Sequence, residues 1–153
     1  MLSQENLEII KDTVRSFFEK TGFDCEIEFL PQDDLTMPVN LKCEDPQILI
    51  GEGGQTLFEI QHIIRAMLRK KIAEPFFVDI DICDYKKKKT IQLKEMARYT
   101  ADDVSLYGAE KELPSMSAYD RRIIHTELAN RSDVLTESFG EGEDRRIVVK
   151  PRK

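Results

Sequence analysis

The sequence predicts an α+β chain in two parts, residues 1–83 and residues 84–153, with no Pro/Gly/Ser-rich linker between them. Two periodicities and one interruption carry the prediction. Apolar residues recur at three- and four-residue spacing in several stretches, as in helices with one buried face. In other stretches they alternate with polar residues, as in half-buried strands. Three glycines, Gly51, Gly53 and Gly54, break the first part where a long helical pattern begins.

In the first part, Leu7, Ile10, Val14, Phe17 and Phe18 predict a helix over residues 4–20, ended by Thr21-Gly22. Cys25, Ile27 and Phe29 alternate with Glu26 and Glu28 as a strand. Asp33-Asp34 turns the chain into a second strand of Met37, Val39, Leu41 and Cys43. Pro38 is expected at that strand's edge or start, because proline donates no ladder hydrogen bond. Asp45-Pro46 opens a helical turn, Gln47 to Ile50, before the glycines. Leu57, Ile60, Ile64, Met67 and Leu68 then mark a helix over residues 55–71, with Arg69, Lys70 and Lys71 at the end that favours cations. The last strand points Val78, Ile80 and Ile82 inward and Phe77, Asp79 and Asp81 outward.

The second part opens on Asp84-Tyr85 and four lysines, Lys86, Lys87, Lys88 and Lys89. A helix follows, built on Leu93, Met96, Ala97, Thr100, Val104 and Tyr107 and capped by Gly108. Ser117-Ala118-Tyr119-Asp120 has the form of a capping box for a second helix. There Ile124 and Leu128 face the core, and Arg121 and His125 share another face. A hairpin closes the chain: Val134 to Phe139, a turn through Gly140–Asp144, then Arg145 to Pro151.

The glycine stretch has a chemical reading. Glycines let the backbone turn sharply and approach a ligand without a Cβ in the way. The helix starting at Gln55 aims free N–H groups and its positive dipole end at that turn, a seat for phosphate. Charge agrees less well. The chain carries −6 overall, with 8 Lys/Arg against 16 Asp/Glu in residues 1–83 and 15 against 13 in residues 84–153. The second part therefore suits a polyanion better. Cys25, Cys43 and Cys83 read as buried free thiols of a cytosolic protein, with neither a disulfide framework nor a zinc site. No run is long enough for a membrane span, and residues 1–6 lack the features of a signal peptide.

Ile50-Gly51-Glu52-Gly53-Gly54 resembles the GXXG loop of KH domains, which clamps single-stranded nucleic acid. The element order helix, strand, strand, short helix, helix, strand resembles a type II KH domain over residues 1–83. The string Arg121-Arg122-Ile123-Ile124-His125 resembles the Arg-x-x-x-His module (RxxxH domain), a small α/β domain for single-stranded nucleic acid. Its lead-in Pro114–Tyr119 and its closing Ser138-Phe139-Gly140-Glu141-Gly142 with Arg145–Val149 fit the same module. The two modules in tandem, joined by a helix, resemble the Jag family (SpoIIIJ-associated, KhpB) of bacterial RNA-binding proteins, over about residues 4–151. The amino-terminal extension of many members is outside the resemblance, and this reading expects the protein to lack it.

The resemblance implies a cytoplasmic, non-enzymatic RNA chaperone or post-transcriptional regulator without metal or cofactor. Its partners would be single-stranded RNA or DNA and a small single-KH protein, with homodimerisation a further expectation. The expected contact residues are Gly51, Glu52, Gly53, Gly54 and Gln55 of the loop, Lys86, Lys87, Lys88 and Lys89, and Tyr119, Arg121, Arg122, His125, Arg145 and Arg146, with Lys150 extending the patch. Nucleic acid is expected to cross the loop and continue onto the Arg121/His125 face.

Other readings stay open at this point. Glu52 stands where such loops commonly carry Lys or Arg, and repels phosphate. The acidic first part is then a docking or dimerisation module. Lys86–Lys89 is a phosphate contact or a solvated helix end. His125 is a ligand or a hydrogen-bonding shelf beside the hairpin, and with Asp120 or Glu127 it has the makings of acid-base chemistry. His62 reads as a surface residue. Tyr85, Tyr99 and Tyr107 are expected near core spacing, and Tyr119 is the candidate for base stacking.

Overall fold

The computed structural model describes every residue, Met1–Lys153. The architecture is α+β, in two compact units, Met1–Lys86 and Lys87–Lys153. Each unit has its own apolar core.

The first unit runs α1 (Gln4–Thr21), β1 (Cys25–Phe29), β2 (Thr36–Cys43), α2 (Pro46–Ile50), α3 (Gln55–Arg69) and β3 (Phe77–Ile82). The Ser3 side chain accepts from the Asn6 N–H to start α1, and Gly22, at φ 76°, ends it. The sheet order is β1-β2-β3, with β1 antiparallel and β3 parallel to β2. A parallel pair needs a crossover, which α2 and α3 supply. Ile10, Val14 and Phe18 of α1 and Leu57, Ile64 and Leu68 of α3 are buried in one core with Val39, Leu41, Ile80 and Ile82.

Three local expectations change. Met67 is exposed, and the buried stripe of α3 takes Gln61 instead. Pro38 lies within the central strand rather than at an edge or start. Its carbonyl accepts from Leu30 N–H, so its nitrogen lies on that same side, where pairing with β1 has just ended, and the β3 ladder loses nothing. The cysteines are half-buried rather than buried, and two are bonded: Cys25 and Cys43 sit opposite each other on β1 and β2, Cα atoms 4.5 Å apart, and form a disulfide. Residue count and spacing hid this pair, because the strand register brings together cysteines 18 positions apart.

The second unit holds most of α4 (Tyr85–Tyr107), then β4 (Lys111–Glu112), α5 (Ala118–Leu128), β5 (Val134–Phe139) and β6 (Arg146–Pro151). Its antiparallel sheet has the order β4-β6-β5. Leu93, Ala97, Ala101 and Val104 of α4 and Ile124 and Leu128 of α5 form the core with Val134, Ile147 and Val149. Gly108 closes α4 as expected, its N–H donating to Val104 O at 2.9 Å. β4 is too short to show a periodicity and escapes sequence reading. Tyr99 and Tyr107, expected near core spacing, are 70% and 74% exposed. Tyr99 falls on the helix face away from Leu93, Ala97 and Val104, and Tyr107 is the last helical residue, beyond the core. No helix is long and apolar enough to cross a membrane.

Candidate nucleic-acid interface

In the glycine loop, Gly51 has φ 72°, and Glu52–Gly54 form a single 3-10 turn that leads into α3. A Cβ on Gly51 would stand 2.2 Å from Thr56 Oγ1, and one on Gly54 would stand 2.8 Å from Tyr85 Cε1. The close approach these two glycines permit is therefore to side chains of the same chain. Gly53, at φ 60°, has open space around it. Glu52 is exposed, and its carbonyl accepts the Gln55 N–H, while Gln55 Nε2 donates to Glu59. Part of the helix's first-turn donor set is thus already used within the loop.

The lysine run divides. Lys86 lies within the first unit, where Nζ donates to Asp79 at 2.7 Å and Gln61 at 2.8 Å and sits 5.5 Å from the Phe58 ring centre. Lys89 points into the second unit and pairs with the buried Asp120 at 2.8 Å. Lys87 and Lys88, between them, are exposed. Helical geometry explains the division, since residues three apart share a face and the two between lie on the other.

Around α5 the residues converge. Ser117 caps the helix by accepting the Asp120 N–H at 3.2 Å. Asp120 occupies the buried stripe with Ile124 and Leu128, and its carboxylate is turned to Lys89, away from the outer face. Arg121 Nη1 donates to Met116 O at 2.6 Å. The Met116 N–H donates to Arg145 O at 3.1 Å, and Arg145 Nη1 donates to Gly140 O at 3.0 Å. One residue's backbone, that of Met116, thus ties Arg121 and Arg145 into the same network, and Arg122 is exposed beside Arg121. Tyr119 is half exposed in the first turn.

Which acceptor holds each cation decides what it has left for a ligand. A carbonyl orients a guanidinium and leaves its full charge, whereas a carboxylate cancels it. Arg121 and Arg145 are held by carbonyls. Arg146 pairs with Glu112 at 2.7 Å and lies over Phe139, Lys150 pairs with Glu137 at 2.7 Å, and Arg98 pairs with Glu127 at 2.6 Å. Arg131 is held between Asp102 and Asp133, which raises its pKa and holds that of Asp133 well below the usual carboxylate range. Lys150 is likewise raised by its bond to Glu137. The structure therefore joins Arg121 and Arg145, leaves Arg122 exposed next to Arg121 in the sequence, and sends Arg146 and Lys150 to cross-strand ion pairs.

His125 is clamped to β5. Nδ1 contacts Thr136 Oγ1 at 2.7 Å and Nε2 contacts Ser138 Oγ at 3.0 Å. Burial, and then the charge of Arg121, lower its pKa from the ordinary value and favour the neutral ring, in which one nitrogen donates and the other accepts. Its hydrogen-bond partners are these hydroxyls, while Asp120 and Glu127 are engaged by Lys89 and Arg98. Although the strings that carry the module's resemblance contain Met116 and Ser138, sequence reading gave no contact role to Met116, Thr136 or Ser138. The last two left a faint signal, polar residues at alternate positions of a strand whose alternation should be apolar.

Comparisons with known proteins agree with this architecture. The family model for the Arg-x-x-x-His (RxxxH) domain matches residues 91–151, which contain Arg121 and His125. The chain is 30% identical to RNA-binding protein KhpB of Clostridium symbiosum over 148 residues, 93% of this chain and 66% of that protein. It is 34% identical to RNA-binding protein KhpB of Lactiplantibacillus plantarum over 106 residues, 69% of this chain and 33% of that protein. With RNA-binding protein KhpB of Bacillus subtilis the identity is 28% over 120 residues, 77% and 58% of the two chains. The matches span from one third to about two thirds of these relatives' lengths. With an RxxxH domain in its second unit and these relatives across most of its length, the chain belongs to the KhpB (Jag) family.

Proposed function

We propose that this chain binds single-stranded RNA through the second unit, at a face centred on Arg121, Arg122 and Arg145 with His125 as its fixed edge. The observation that carries the reading is that Arg121 and Arg145 are oriented without being neutralised. The relatives' names, each an RNA-binding protein, support it. So does the charge of the second unit, 14 Lys/Arg against 12 Asp/Glu, beside 9 against 17 in the first. Recognition is by phosphate contact with stacking from Tyr119, hence broad in sequence. In this reading the protein is a binding protein rather than an enzyme, an RNA chaperone or post-transcriptional regulator working in the cytoplasm.

The proposed domains are a type II KH domain over residues 1–83 and the Arg-x-x-x-His module over residues 84–153. Support for the first is its element order and its β1-β2-β3 sheet. Its loop, Gly51 to Gln55, contributes backbone contacts against the repulsion of Glu52, and Lys87 and Lys88 contribute charge. A second reading, that the first unit is a docking surface for a small single-KH protein or a second copy, is favoured by its acidity and by the internal packing of Gly51 and Gly54.

Binding of a labelled mixed-sequence single-stranded RNA, followed by fluorescence anisotropy at increasing salt, tests the reading. The logarithm of affinity is expected to fall linearly with the logarithm of salt, by about 0.7 per phosphate neutralised. Arg121→Ala with Arg122→Ala is expected to lose about tenfold or more and to flatten that slope. Absent or salt-insensitive binding would favour the docking reading.

A further inference from the structure

All three cysteines of the chain meet at one end of the first unit's sheet. Cys25 and Cys43 are joined across β1 and β2, and Cys83, just past the end of β3, is a free thiol whose Sγ lies 3.8 Å from Cys43 O. The three side chains pack against the same core. Exchange requires a thiol near a disulfide, and here the free thiol lies against the backbone of one of the two bonded cysteines. The backbone there is also unrelaxed, since Cys83 and Asp84 take φ 49° and 57°, left-handed values that L-residues adopt reluctantly.

Both chain segments leaving this end of the sheet lead to the glycine loop. Cys43 is followed by Glu44, Asp45 and α2, which runs straight into Gly51. Cys83 is followed by Asp84 and Tyr85, whose ring packs against Gly54. A covalent change at Cys43 or Cys83 therefore acts on both supports of the loop.

We propose that Cys25, Cys43 and Cys83 form a thiol–disulfide exchange site that sets the conformation of the glycine loop. For its consequence on RNA it rests on the reading given above; for its chemistry it does not. Cys83 gives its proton to solvent, and the thiolate attacks Cys43 Sγ. The Cys43–Cys83 bond forms as the Cys25–Cys43 bond breaks, and Cys25 leaves as a thiolate that takes up a proton. Nothing is oxidised or reduced overall. The new bond ties β2 to the segment that carries Tyr85 and releases β1.

Tryptic cleavage after Lys20, Lys42, Lys71 and Lys86 puts each cysteine on a separate peptide, so the exchange is read directly. The full chain is held without reductant under mildly alkaline conditions, where thiolate forms, then acid-quenched, alkylated with N-ethylmaleimide and analysed by mass spectrometry. A Cys43–Cys83 linked peptide and alkylated Cys25 are expected to grow with time in the wild type, and neither in Cys83→Ser. Hydrogen exchange of the Gly51–Gln55 amides is expected to differ several-fold between Cys83→Ser, locked as Cys25–Cys43, and Cys25→Ser, oxidised to Cys43–Cys83. Label confined to Cys83 at all times in the wild type would overturn the proposal, as would equal loop exchange in the two locked forms. Neither readout involves RNA, so failure here is separate from failure of RNA binding.

Discussion

Gly51 and Gly53 are a few residues apart in one loop and yet answer to different constraints. A methyl group at Gly51 collides with Thr56 and one at Gly54 collides with Tyr85, whereas one at Gly53 meets only an unfavourable φ. Gly53→Ala is therefore expected to cost about 1–2 kcal/mol, the left-handed penalty for an L-residue. Gly51→Ala and Gly54→Ala should cost clearly more, measured by chemical denaturation. At His125 the sign follows from its lowered pKa. Well above pH 6.5 the ring is neutral in both the folded and the unfolded chain. Below it the unfolded chain takes up a proton first, so folding stability falls as pH drops toward the folded-state value. His125→Gln should remove that slope, and denaturation midpoints at mildly acidic and neutral pH check it. Whether a glycine or histidine serves the fold or a ligand was not legible in the sequence, because both roles call for the same residue type.

Among the elements, α4 and α5 show what periodicity reveals and what it hides. Helix positions, the Ser117 cap, the Gly108 stop and the closing hairpin all follow from local rules and stand as read. What local rules omit is which acid meets which base. Lys86 to Lys89 is one charge run in the sequence, but the helical turn pairs its two ends with Asp79 and Asp120. The Lys89–Asp120 pair, with side chains 22% and 6% exposed, falls between surface and buried ion pairs. Lys89→Ala is accordingly expected to cost about 1–3 kcal/mol, allowing for solvent screening. Lys87→Ala and Lys88→Ala should stay within about 0.5 kcal/mol in the same thermal or denaturant assay. The Cys25–Cys43 pair was hidden for the same reason, since register, not spacing, brings its members together.

Across the whole molecule, charge is distributed by pairing more than by composition. Counting cations in the second half suggests a basic strip that includes Arg146 and Lys150, but carboxylates on neighbouring strands neutralise both. In the second unit, the cations that keep their charge in an ordered position are those held by backbone carbonyls, Arg121 and Arg145, joined through Met116. A polyanion is attracted to uncompensated charge, so RNA is expected on that face, with a lesser share for the acidic first unit. The direct measurement is a two-dimensional NMR titration of the full chain with a short mixed-sequence single-stranded RNA at low salt. Progressive shifts are predicted at the Met116–His125 and Gly140–Arg145 amides and at Arg121 Nε, fading as salt is added. Shifts that leave those residues unmoved, or that persist undiminished at high salt, would contradict the assignment of RNA to this face.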